Sequence, residues 1–391
     1  MTFPDAIAAY AEKLHATIGD AHHVASPLGA WLVLALAAPA ATGHVRRSLE
    51  SVLGEPADAA AARAGELLEH PHPAVASAAA LWTREDVRTP TLRAWEDGLS
   101  AAVERGAVPS PEGADHWAAD RTRGLIERFP LTVGPETLLV LASALATDVS
   151  WRVPFTTAPA ASLGGPWGGR VTTVLHASTA HEASIVSTPE AGDVAVHVVR
   201  SSDAEPLLVT SVIAAPSVPA AAVFRAAHRI AIDGPVADRS LFDLPLGEGH
   251  AWTLTEETAP TLAPDGRDQR CLATLPAWSA RSRHDLLRDR RTGFGDAVAA
   301  LAPLLPPQRD GVGADAVQSA RADYSRVGFR AAAVTAIAMR AGAPRPRPGV
   351  RRTAHLRFGR PYAVVAVVGG QAGPWHRVPV FSAWVAEPVD A

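Results

Sequence analysis

The chain has no asparagine, one lysine (Lys13, among 36 Lys and Arg residues) and one cysteine, Cys271. A single thiol excludes an intramolecular disulfide and leaves the redox compartment open. Replacement of Lys by Arg is what a GC-rich, bacterial-type codon usage produces, so Arg runs carry little weight here as nucleic-acid signals. Strong charge is missing too: a formal net charge of −4 over 391 residues gives no general attraction to nucleic acid or to an anionic membrane. Long hydrophobic runs are also missing. The most apolar stretch, GAWLVLALAAPAA from Gly29 to Ala41, is too short and too Pro-interrupted to span a bilayer. The opening MTFPDAIAAYAEKLHATIGD carries acids and no basic region, so it does not read as a signal peptide and the expected location is cytoplasmic.

Catalytic motifs are equally scarce. A Walker A loop, a GxGxxG after a strand, a GxSxG elbow, HExxH and CxxC are all absent, so neither an enzyme nor a cofactor is indicated. His22-His23 and His70/His72, beside helix ends or prolines, read as solvated residues and not as metal ligands. His284-Asp285 reads as a helix start with the acid at the positive end of the dipole, since adjacent residues diverge too much for a catalytic pair. Trp31, Trp117, Trp151, Trp278 and Trp384 are expected in the core.

What is present is an ordinary soluble composition, 48% hydrophobic and 19% charged. Ala/Leu-rich segments predict helices at 5–18, 27–38, 45–53, 59–69 and 93–105, separated by turn clusters. From Thr137 onward short β-prone runs take over: TLLVLASALA, GDVAVHVV, PLLVTSVIAA, RCLATLPAW, YAVVAVVGG and VPVFSAWVA, with helical patterns returning at 219–229 and 284–303. The Gly-rich LGGPWGG (163–169) reads as a loop. Helices first and mixed elements later argue for an α+β fold built on a large sheet.

Several stretches, in order, resemble the serpins. SPLGAWLVLALAAPAATG opens at Ser26-Pro27 like that family's buried second helix. DHWAADRTRGLI matches a Trp-(x)4-Thr-x-Gly-x-Ile pattern at Trp117, Thr122, Gly124 and Ile126. LLVLASALATDVSWRVPF resembles a strand-and-turn signature, keeping Ala144, Trp151, Pro154 and Phe155, with Ser143 where Asn is usual. LPAWSARSRHDL, LRFGRPYAVVAVV (with Phe358 and Pro361) and VFSAWVAEP resemble later segments. The resemblance implies a divergent, bacterial-type member. It implies one domain over 1–391, with helices around a large central mixed sheet plus smaller sheets, and an exposed reactive-centre loop at 328–353. For a serpin it leaves an extracellular location open.

In that family the exposed loop is bait for a protease. VQSARADYSRVGFRAAAVTA aligns without a gap on the hinge, with Gly328 at the hinge glycine, then Phe329 and Arg330, and Ala331, Ala332 and Ala333 at the alanine run. After cleavage such a loop enters a sheet as a new strand, so alternate residues face opposite sides. Phe329, Ala331, Ala333, Thr335, Ile337 and Met339 form one apolar set. Arg330 and Arg340 fall on the other. Read without the flanking matches, the same stretch suits a short Ala-rich helix stopped by Gly.

Phe329 stands where Thr or Ser is usual, and a ring there is expected to overpack the sheet and slow insertion. Arg326 and Arg330 stand where acids are common, Gly29 and Ala383 replace a usual Ser and Gly, and the loop is several residues longer than ordinary. Family spacing together with trypsin-like chemistry places the scissile bond at Arg340–Ala341, with a cut at Ala341–Gly342 as the rival. The Arg345–Arg347 Arg-Pro repeat reads as a rigid spacer, and Arg351 and Arg352 lie too far along. The expected function is suicide inhibition of a serine (or cysteine) protease by a monomer. The alternative is a non-inhibitory binding protein or plain substrate, and a polyanion site on Arg345, Arg347, Arg351, Arg352 and Arg357 comes last. The metal, membrane and nucleic-acid expectations are all none.

Overall fold

The computed structural model describes residues 1–235, 239–307, 313–329, 347–370 and 372–391. Eight helices lie in these residues: α1 (Phe3–Ile18), α2 (Pro27–Ala37), α3 (Gly43–Leu53), α4 (Ala57–Glu69), α5 (Pro90–Gly98), α6 (Pro111–Arg121), α7 (Ala220–Asp233) and α8 (Phe294–Leu301). Their starts are set by local chemistry. Thr2 and Asp5 form a reciprocal capping box on α1, while Ser26, Thr89 and Ser110 cap α2, α5 and α6 just ahead of Pro27, Pro90 and Pro111. Each hydroxyl accepts a first-turn N–H that the helix leaves unpaired, and each of these prolines sits where no N–H is needed.

The strands are β1 (His23–Ala25), β2 (Ala76–Thr83), β3 (Val103–Gly106), β4 (Leu139–Ala146), β5 (Val149–Ser150), β6 (Thr156–Pro159), β7 (Thr173–His176), β8 (Glu182–Thr188), β9 (Gly192–Arg200) and β10 (Leu207–Ile213). They continue with β11 (Gly247–Glu248), β12 (Trp252–Thr261), β13 (Arg267–Leu275), β14 (Trp278–Asp285), β15 (Val317–Tyr324), β16 (Gly328–Phe329), β17 (Arg347–Arg357), β18 (Tyr362–Val368) and β19 (Pro379–Val385).

The chain forms two compact units. The first comprises Met1–Asp148, Ala280–Ala322 and Ala366–Ala383. It holds seven of these helices, the three-stranded sheet β3-β2-β4, most of the pair β14-β15, and β1 beside β19. The second comprises Val149–Ser279, Asp323–Val365 and Trp384–Ala391. It holds α7, the run β10-β9-β8, the short pair β16-β5 and a six-stranded mixed sheet in the order β11-β12-β17-β13-β7-β6. The class is α+β, as expected.

Two helix expectations are corrected. Helix 93–105 stops at Gly98, and Val103–Gly106 lies parallel to β2 instead; partner pairing overrides the helical propensity of the Ala-rich run. In 284–303 only Phe294–Leu301 is α-helical, because His284 and Asp285 end β14.

Trp31, Trp151 and Trp278 are fully buried and Trp384 nearly so. Trp117 packs edge-on against Trp82 at 5.2 Å and against Phe129 at 6.2 Å. The Thr-x-Gly-x-Ile stretch after it ends α6. Thr122 Oγ1 donates to Ala118 O and accepts from Ile126 N, while Gly124 adopts φ 76° and donates to Ala119 O, a left-handed turn that only glycine takes without strain. Among the described residues no helix is long and apolar enough to cross a membrane.

Candidate functional site

In the first unit, β4 and β15 belong to separate sheets among the described residues. A cavity of about 730 Å³ is lined by both strands and by Gly29, Ala30 and Val33 of α2 and Ala297, Val298 and Leu301 of α8. Among the described residues β4 is paired antiparallel to β2 on one side and is the end strand of its sheet. It therefore presents a row of backbone donors and acceptors, the template an added strand needs. Its side chains alternate: Val140, Ala142, Ala144 and Ala146 are buried, while Leu139, Leu141, Ser143 and Leu145 are half-buried. β15 likewise buries Ala320 and Ala322. Small buried residues on both edges leave room for side chains from a strand laid between them.

Both edges are tied to the start of α2. On the β4 side, Ser143 Oγ donates to Gly29 O at 2.7 Å. On the β15 side, Gln318 Nε2 donates to Ser26 O at 2.8 Å and its Oε1 accepts from Ser26 N at 2.9 Å. Ser26 Oγ donates to Val380 O while accepting the helix-capping bond from Gly29 N. A Cβ at Gly29 would lie 3.1 Å from Ser26 Oγ and 3.3 Å from Leu145 Cδ1, which accounts for glycine where a serine is usual. Gln318 was not singled out in the sequence. Its only signal is a polar residue on a strand otherwise rich in small ones.

In the second unit Gly328 and Phe329, the first two residues of the predicted hinge, are already part of a sheet. Gly328 pairs with Ser150 and Phe329 with Val149. Trp151 N donates to Val327 O, Trp151 Nε1 to Ser325 O and Phe155 N to Arg326 O, each at 2.9 Å. Phe329 is buried against Trp151 at 6.3 Å and Trp278 at 6.2 Å, and Trp278 stacks on Tyr324 at 5.7 Å. A ring of aromatic side chains leaves a seat for Phe329 in the uncut chain, whereas the slower insertion expected of it concerns the chain after cleavage. Phe155 is also buried; Pro154, between Trp151 and Phe155, is half-buried.

The far end of the predicted loop is corrected as well. Arg347–Arg357 forms β17, antiparallel to β12 and parallel to β13, so Gly328–Phe329 and Arg347–Thr353 are strand and not exposed loop. This 11-residue strand takes up the extra length counted in the sequence, and Arg347-Pro348 pairs with Thr261 and Pro260 instead of serving as a spacer. Gly349 is required there, since a Cβ would lie 2.4 Å from Gly266 O. Three of the four Arg residues of β17 are matched by acids: Arg351 with Asp268 at 2.7 Å, Arg352 with Glu256 at 2.8 Å, and Arg357 with Glu248. Arg352 also lies over the Phe242 ring at 4.7 Å. These pairs remove most of the charge a polyanion site would use. Phe358 is buried beside Tyr362, with the exposed Pro361 just ahead of β18.

Arg330, Ala331, Ala332, Ala333, Arg340 and Ala341 lie outside the described residues, as does Arg345. His23, His72 and His284, expected at solvated or helix-start positions, are buried. His23 is held in β1 by Ala21 O and His15, and His284 Nε2 donates to Val24 O at 2.8 Å. No group of three or more His, Cys, Asp or Glu residues suited to a metal occurs among the described residues.

No family model matches the sequence, and no curated protein matches it. Solved structures do. The thermophilic serpin Tengpin in its native state has a TM-score of 0.65 at 14% identity, covering 98% of this chain and 94% of that one. Human thyroxine-binding globulin with thyroxine has a TM-score of 0.62 at 13% identity, with 99% of each chain covered. Serpin48 of the insect Tenebrio molitor has a TM-score of 0.60 at 15% identity, covering 98% and 97%. The chain has the serpin fold.

Proposed function

We propose that the chain inhibits a trypsin-like serine protease as a suicide substrate. The observation that carries this reading is the gap that the described residues leave between β4 and β15, an edge unpaired among them and flanked by small buried residues. The segment able to fill it, 330–346, is anchored by β16 at one end and β17 at the other. Because Phe329 is buried, the alternation of a strand puts Ala331, Ala333, Thr335, Ile337 and Met339 on the same inward face and both Arg330 and Arg340 outward. The protease serine Oγ attacks the Arg340 carbonyl, and the Arg340–Ala341 bond breaks. The proton passes to the departing Ala341 amine, and an ester joins protease to Arg340. Insertion of the freed strand before water cleaves that ester traps the enzyme. Arg351 and Arg352 are poor alternatives, being held in ion pairs within β17.

The tethered hinge favours a second reading, a non-inhibitory binding protein or plain substrate. Thyroxine-binding globulin, whose solved structure holds thyroxine, shares the fold. Incubation with trypsin, followed by SDS gel and mass spectrometry, separates the two. Inhibition gives an SDS-stable complex with a released fragment beginning at Ala341, lost in Arg340→Ala. Clean turnover without a complex supports the second reading, and a complex with a new N-terminus at Thr353 overturns the assigned bond.

A further inference from the structure

The segment Val149–Phe155, which holds the hinge residues Ser325–Phe329, is itself held by a pair of histidines. His181 Nε2 lies 2.7 Å from Val153 O, and His181 Nδ1 lies 3.0 Å from His197 Nε2. A carbonyl can only accept, so His181 carries its proton on Nε2 and its Nδ1 accepts from His197 Nε2–H. His197 Nδ1 is then an unprotonated nitrogen, fully buried and without a hydrogen-bond partner. Phe155 packs on both rings, at 4.6 Å from His181 and 5.5 Å from His197, and on Tyr324 at 5.8 Å.

We propose that the neutral His181–His197 pair is an acid-released latch on the hinge. A proton on His181 Nδ1 would face the N–H of His197 and break the bond between the rings. A proton on His197 Nδ1 would place a charged N–H in a buried site with no acceptor. Either event unseats the ring pair on which Phe155 packs, and with it loosens the three hydrogen bonds that Trp151 and Phe155 make to residues 325–327.

The Val153 carbonyl favours the charged form of His181, but burial outweighs it, and no acid near the pair is free to add to it. On β8, Glu182 is bound to Arg200 of β9. Asp323 is bonded to Ser279, while Arg152 and Arg326 are exposed and of the wrong sign. Tyr324 is fully buried and its pKa is raised by burial. On β13, which packs on β8, Asp268 is taken by Arg351 and burial pushes the Cys271 thiol up to about 11. On β17, which touches β9, Arg352 and Arg357 are ion-paired, and His355 is itself pushed down by burial and by His176 and Arg357. Burial accordingly lowers both His181 and His197, with His197 further lowered by its partner, so the latch is intact above about pH 6.5 and opens as the solution becomes more acid.

Hydrogen-exchange protection of residues 149–155 and 325–329, corrected for the intrinsic pH dependence of exchange, tests this without any protease. Protection in those two segments is expected to fall at least tenfold further between pH 8 and pH 5 than protection in β10 and β18. In the double variant His181→Gln, His197→Gln, whose amide at 181 can still donate to Val153 O and in which neither position titrates, the fall should disappear. Each single variant should lessen it if the double variant fails to fold. Protection that falls only together with β10 and β18, or that falls equally in either folded variant, overturns the latch.

Discussion

Replacing Phe329 by Thr discriminates between a ring that overpacks the hinge and a ring that is seated in it. Phe329 is 6% exposed, lies near 6 Å from two indole rings, and has its backbone paired to Val149. Truncating a buried Phe to Ala costs about 3–5 kcal/mol. Thr restores a little volume and suits a strand, but it buries a hydroxyl in an aromatic nest, so a net loss of about 3–4 kcal/mol is expected. Spread over a chain of this length, at ~2 cal/mol/K per residue, that corresponds to a fall of about 4–5 °C in the melting temperature. The assay is thermal unfolding of the uncleaved protein followed by tryptophan fluorescence, since Trp151 and Trp278 flank the site. A melting temperature that rises in Phe329→Thr would mean the ring is strained and would refute the seat.

Two further outcomes are expected. Gln318→Ala removes both bonds to Ser26 and should destabilise the native state by about 1–3 kcal/mol, with loop insertion after cleavage becoming faster; an unchanged denaturant midpoint contradicts the clamp. Burial holds His23 and His228 at about 4, below the ordinary histidine value, so the unfolded chain binds protons first. Stability is therefore full above about pH 6.5 and falls by about 2–3 kcal/mol per residue by pH 4.5; equal urea midpoints at pH 7.5 and 4.5 contradict it.

Much of the fold was legible because it is written locally. Ser26-Pro27 and Ser110-Pro111 carry a cap and its proline within two residues, and β4, β9, β10, β18 and β19 are β-branched or alternating runs flanked by turns. What was not legible depends on distant partners. Residues 103–106 are a strand only because β2 lies beside them, and Arg347–Thr353 is a strand because β12 and β13 pair with it on either side. The seat of Phe329 is built from Val149, Trp151 and Trp278, all far from it in sequence. The same holds for the candidate site. The alanine alternation at 331–339 was visible, whereas the gap it would fill and its Gln318 and Ser143 ties were not.

The central claim is that the segment beyond Phe329 becomes a strand between β4 and β15 once it is cut. An inserted strand about as long as β4 adds roughly eight hydrogen bonds to each of the two facing edges, at ~1 kcal/mol net each, beyond the apolar area it buries. On the order of 10 kcal/mol over this chain length raises the melting temperature by more than about 10 °C. The most direct measurement is the melting curve before and after a single cut within 330–346, made by a protease that is then removed. A rise of that size is the predicted result. Superimposable melting curves, with the cut confirmed by mass spectrometry, would contradict insertion and with it the inhibitory mechanism.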